Sequence, residues 1–214
     1  MREEKNAYSI VEEIWHAISH GFGLFLSTFG FGVLVTLAAV SGDTAKVLTS
    51  IVFGIGLITM YGASILYHAI THKRIKSALQ IFDHVAIYIL IAATYTPVVI
   101  LGVRDTFGWI LFGVIWGMAI IGILLKLFFP GRFEIFSLIL YGSMGWLIVV
   151  AWKPLVLHAG WLPAILLFAG GIIYTVGIFF YARESMRLNH AIWHLFVLGG
   201  SIFHYFTVFL LITQ

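Results

Sequence analysis

The chain has 214 residues, 61% hydrophobic and only 10% charged, with 12 Lys and Arg against 9 Asp and Glu. Soluble domains carry about 25% charged residues, so a soluble globular fold is excluded. The absence of cysteine excludes disulfide frameworks and thiolate metal sites, leaving only N and O ligands for any metal. The slight basic excess does not point to nucleic acid, because it forms no continuous patch outside the short polar breaks; membrane topology accounts for it.

In chain order, the opening MREEKNAYSIVEEIW is acidic and has no small-residue cleavage site, so it does not read as a signal peptide. Apolar runs then follow, each long enough for the roughly 20 residues that a membrane-spanning helix needs. They predict spans at roughly 14–41, 47–71, 77–103, 106–128, 134–152, 159–182 and 188–212. The breaks are short and turn-like: SGDTAK, THKRIK, VRDTFG, FPGRFE, KPLVLHAGW and ARESMR. Seven spans account for nearly the whole of residues 1–214. The expectation is one all-α, seven-transmembrane-helix bundle, a multi-pass integral protein of the cell membrane. GVIWG, with Gly113 and Gly117, is a small-xxx-small pattern and reads as helix packing.

Orientation follows from Lys and Arg. Arg2, Lys5, Lys73, Arg74, Lys76, Lys126, Arg132, Arg183 and Arg187 fall on one side, against Lys46, Arg104 and Lys153 on the other. This bias puts the N-terminus in the cytoplasm and the C-terminus outside. Trp15, Trp109, Trp152 and Trp161 fall near span ends, where interfacial tryptophans belong.

Depth, at about 1.5 Å per helical residue, then singles out one set of polar groups. Glu13, His16 and His20 begin the first span; His68 lies five residues before Lys73; Asp83 lies seven after Lys76; His194 lies seven beyond Arg187. Four separate spans thus bring ionisable groups to one level on the cytoplasmic side. Such groups are costly in a membrane and mark functional sites by default. His190 and His194 are four apart and share one helix face, a spacing that one metal ion bridges. His72 sits among Lys73, Arg74 and Lys76, where positive potential opposes a cation, and His84 and His204 read as hydrogen-bonded packing residues. His68, His190 and His194 remain as the natural ligand triad. Ser64 shares a helical face with His68, and Asp83 can accept a hydrogen bond from a ligand imidazole or from water at the metal.

These residues resemble a known family. SILYH, the later FDH and the final NHAIWH are similar to the Ser-x-x-x-His, Asp and His-x-x-x-His signatures of the haemolysin III and progestin and adipoQ receptor (PAQR) families. EEIWHAISHGFG resembles their Glu-x-x-Asn-x-x-Ser/Thr-His element through Glu13, Ser19 and His20, with His16 where the family has Asn. The resemblance covers all seven spans in order. It implies a zinc ion on the cytoplasmic side held by His68, His190 and His194, with Asp83 and Ser64 as catalytic groups beside it. Glu13, His16, Ser19 and His20 are expected to stand around the ligands, His16 in a hydrogen-bonding role.

A zinc held by three histidines keeps a position open for water and can polarise a carbonyl. With Asp83 as base, the resemblance implies a ceramidase-like hydrolase of a lipid amide or ester, acting in membrane-lipid homeostasis. The alternative is a zinc-stabilised membrane sensor or receptor-like regulator without chemistry. A bis-histidine haem protein or an ion pathway is a third reading, against which stands the lack of charged groups near the midplane. Membrane lipids are the expected partners and nucleic acid is not.

Overall fold

The structure is a computed structural model and describes residues 9–183, 185–186 and 188–214. Arg2, Lys5 and Arg187, three of the cations that bear on orientation, lie outside the described residues. Among the described residues there are helices and no strands, and seven helical stretches are long and apolar enough to cross a membrane.

Helix α1 (Ile10–Ser41) opens on a capping box. The Ser9 hydroxyl accepts from the Glu12 amide at 3.2 Å, and the Glu12 carboxylate accepts from the Ser9 amide at 2.9 Å. Two orphan donors of the first turn are thereby satisfied. It closes at Gly42, whose φ of 70° is open to glycine at little cost. The next residue, Asp43, caps α2 (Thr44–Ala69) by accepting from the amides of Ala45 and Lys46 at 2.8 and 3.3 Å. This tight corner forces α1 and α2 to run antiparallel and in contact.

Helix α3 (Lys73–Pro97) continues through a π-helical turn at Val98–Val103. Pro97 has no amide hydrogen to give, and the wider turn follows it directly. This third span is the axis of the bundle: 78% of its most apolar window is buried, against 28% for the first and fourth spans. Helices α4 (Thr106–Phe128), α5 (Glu134–Trp146), α6 (Trp152–Ala159), α7 (Trp161–Tyr181) and α8 (Asn189–Thr213) complete the chain. The last helix packs against both α7 and α1, so the first and last spans are neighbours. Large apolar side chains such as Phe25, Phe29, Ile121, Phe128 and Phe179 point outward, as a lipid-facing surface requires.

Two expectations need correction. The break KPLVLHAGW is not a loop from residue 153: a 3-10 turn at Leu147–Ala151 leads into α6, so the fifth span runs to Ala159. Pro154 stands in the first turn of α6, where its missing amide hydrogen costs nothing, and Leu155 and Ala159, four apart, are both buried. Gly113 and Gly117 do not pack within the chain either; a methyl added at either would meet nothing within 4 Å.

The irregular fifth span leaves backbone groups that a straight helix would satisfy. Tyr95 of α3 supplies the partner, its hydroxyl donating to the Gly145 carbonyl at 3.1 Å and accepting from the Ile148 amide at 2.7 Å. Tyr95→Phe is expected to cost about 1–2 kcal/mol by stranding both groups. That is a fall of roughly 2–8 °C in melting temperature, measured on detergent-purified protein; an unchanged melt contradicts the bridging role.

Candidate metal centre

Three helices build the site, each presenting one stripe. On α1 the buried positions His16, His20, Gly23, Ser27, Leu34 and Ala38 recur with helical periodicity. On α2 the stripe Phe53, Leu57, Tyr61, Ser64 and His68 does the same, and on α8 His194, Val197 and Ser201 follow one turn after His190. The upper, apolar parts of these stripes make the core. Their ends, all at the same end of the bundle, carry imidazoles. Gly23 lets α2 come close: a Cβ there would overlap the Tyr61 ring, which in turn meets the edge of His20 at 5.1 Å between centroids.

Five histidines therefore meet. The His16 ring centroid lies 4.5 Å from that of His68, 4.7 Å from His190 and 5.1 Å from His194. His190 and His194 are 4.6 Å apart, and His20 stacks on His194 at 3.6 Å with planes 15° apart. Among the described residues, one nitrogen each from His16, His68 and His190 form a group in which all lie within 4.8 Å of one another.

The hydrogen bonds fix which nitrogens face inward. The Glu13 carboxylate lies 2.6 Å from His68 Nδ1, and a carboxylate accepts, so Nδ1 carries the proton and Nε2 presents a lone pair. The Nε2 atoms of His68 and His190 face each other at 3.3 Å. Two ligands of a tetrahedral zinc, each at about 2.0–2.1 Å from the ion, stand about 3.3–3.4 Å apart. Ser19 donates its one hydroxyl proton to the His16 carbonyl at 2.9 Å, so toward His194 Nδ1, at 3.2 Å, it accepts. His194 then also keeps its Nε2 lone pair available. Neither ring nitrogen of the buried His20 has a hydrogen-bond partner among the described residues. The grouped nitrogens of His16, His68 and His190, with Glu13 accepting behind the His68 ring, are a donor set that could hold a divalent metal ion such as zinc.

Each site residue read from the sequence has a definite place. His68, His190 and His194 fall in one cluster, and His16 stands among them with its nitrogen grouped with those of His68 and His190. Glu13 and Ser19 touch His68 and His194 respectively. Ser64 and Asp83 are buried neighbours, 1% and 7% exposed, whose side chains lie together without closing a hydrogen bond. His72 is exposed at the start of α3, and His204 Nε2 donates to the Leu167 carbonyl at 3.1 Å. One contributor was not legible. Lys76 Nζ reaches the second Glu13 oxygen at 2.8 Å across 63 residues of chain, and no local spacing signals a contact of that length.

The Haemolysin-III related family model matches residues 8–205. The chain belongs to the haemolysin III family. Among the family's proteins similar to this one are "Hemolysin-3 homolog" of Bacillus subtilis (strain 168), 43% identical over 94% of both chains, and "Hemolysin-3" of Bacillus cereus, 44% identical over 93% of this chain and 91% of that one. The human "Monocyte to macrophage differentiation factor" is 26% identical over 92% of this chain and 83% of its own. With the seven spans, haemolysin III membership makes this a multi-pass integral membrane protein. The expected haemolysin III membership is thereby borne out, and the human relative supports the wider PAQR resemblance.

Proposed function

We propose that this haemolysin III protein binds one zinc ion in its histidine cluster and hydrolyses an amide or ester bond of a membrane lipid. The observation that carries the metal reading is the pair of Nε2 atoms of His68 and His190 facing each other at 3.3 Å, with Glu13 fixing the His68 tautomer from behind. Zinc, when bound, would supply a Lewis acid for the lipid carbonyl and favour ionisation of water. The chain's own residues do the rest. His68, His190 and His194 hold the ion, Glu13 and Ser19 orient their rings, and Asp83 takes a proton from the attacking water. Ser64 lies beside Asp83 and would share with it the surround of that water. In this reading a lipid enters from the leaflet nearest the histidines.

A second reading, a zinc-stabilised sensor without chemistry, draws support from His16. Its ring lies within 5.1 Å of the rings of His68, His190 and His194, so a fourth imidazole stands where an open site would keep water. Metal analysis of purified protein, followed by assays with ceramides and phospholipids, separates the two. Zinc at one per chain with lipid turnover supports the hydrolase, and zinc without turnover of any lipid class supports the sensor. A metal-free protein that remains folded and active removes both.

The site's position in the cell is part of the proposal. The Lys and Arg bias supports a histidine end that faces the cytoplasm. Reporter fusions are expected to show a cytoplasmic N-terminus and an external C-terminus; a cytoplasmic C-terminal reporter overturns this orientation.

A further inference from the structure

We infer that Lys76 is a positioning residue for the metal centre, acting through Glu13 on His68; this rests on the zinc reading above. The Lys76 ammonium makes two hydrogen bonds, to Glu13 Oε1 at 2.8 Å and to the Tyr67 carbonyl at 3.1 Å, and stands 4.8 Å over the Tyr67 ring. It therefore joins the first turn of α3 to the C-terminal turn of α2 and to the start of α1. The second oxygen of Glu13 is the one at 2.6 Å from His68 Nδ1.

What Lys76 decides is which imidazole the carboxylate serves. Glu13 Oε2 also lies 4.0 Å from His16 Nδ1, and the side chain is 18% exposed, so rotation toward His16 or toward solvent is open to it. With Oε1 held by the ammonium, Oε2 stays on His68, Nδ1 of His68 keeps its proton, and Nε2 stays aimed at the centre. A compact ammonium with three donors fits this corner, sharing them between carboxylate, carbonyl and ring face. Lys76 thus stands beside the site, as a clamp on the residue that orients a ligand.

The test is zinc affinity by chelator competition on metal-stripped wild type, Lys76→Met, Lys76→Arg, Glu13→Gln and the double variant Glu13→Gln/Lys76→Met. Loss of such an outer contact weakens metal binding about 10–100-fold, and that is the expected range for Lys76→Met and for Glu13→Gln. The double variant should be no weaker than Glu13→Gln, because Lys76 acts only through that carboxylate. Lys76→Arg, which keeps the charge but not the compact ammonium, should lose less affinity than Lys76→Met. Melting temperatures of the metal-stripped proteins should agree within a few degrees, since a partly exposed ion pair contributes little to stability. Should Lys76→Met fail to fold, Lys76→Gln takes its place in the comparison. Unchanged affinity in the Lys76 variant, or losses that multiply in the double variant, overturn the inference while leaving the zinc reading intact. A wild type that takes up no zinc overturns both.

Discussion

Asp83→Asn is expected to keep its zinc and lose lipid hydrolysis by about 100- to 10,000-fold, the usual contribution of a positioned base. Asp83 is 7% exposed on α3, the most buried span, beside Ser64, which itself lies one helical turn before His68 on α2. Asparagine has nearly the same shape and volume, so packing should survive, and Asp83 is outside the proposed ligand set. What the amide cannot do is accept a proton from water. The hydrolase reading therefore predicts a variant that is folded, loaded and inactive. Zinc content, melting temperature and turnover of a ceramide or phospholipid are the three readouts. If zinc, fold and cellular output are all intact in Asp83→Asn, the hydrolase reading fails and the sensor reading stands.

The second large effect concerns the ligands. His68→Ala, His190→Ala and His194→Ala should each lower zinc occupancy sharply, whereas His72→Ala, at an exposed position, should change little. Metal bound only by the folded state adds about 2.7 kcal/mol when its concentration is 100 times the dissociation constant. Loss of that term lowers the melting temperature by roughly 5–10 °C for a chain of this length. His16→Asn, which restores the residue usual in the family, is expected to keep both zinc and fold. If that variant is stripped of metal, His16 is a ligand and the set becomes His16, His68 and His190, the three whose nitrogens lie within 4.8 Å of one another. Full zinc content in a His190→Ala/His194→Ala double variant refutes the site altogether.

Hydropathy and charge made the seven spans legible, because a bilayer imposes a length and a polarity that sequence displays directly. The convergence of His16, His20, His68 and His194 was legible for a related reason: flanking lysines and arginines calibrate depth, and depth brings residues from distant spans to one level. Depth leaves azimuth undetermined. Nothing in the spacing of EEIWH says that His16 turns inward as far as the rings of His68 and His190, since that depends on the angle at which α1 meets α2 and α8. The Lys76 clamp was hidden likewise, because a lysine near a span end ordinarily reads as a topological marker. KPLVLHAGW misled through its Lys and Pro, signals of a loop that a helix's first turn also tolerates. Tyr95 gave no signal, for its partners are backbone atoms exposed by a break that sequence does not announce.

The adjacency of α8 to α1 has a consequence for how the protein is made. Ser19 and His194 meet across 175 residues, and His68 and His190 across 122, so the centre joins the earliest spans synthesised to the last. A nascent chain inserted up to the end of α7 would bring only the imidazoles of α1 and α2 to the centre, without the His190 Nε2 that faces that of His68. On the zinc reading, metal uptake would report completed assembly: only a chain whose final helix has entered the membrane and packed against the first offers the α8 donors. Once bound, the ion would stitch the seam between beginning and end, the junction that no short loop secures.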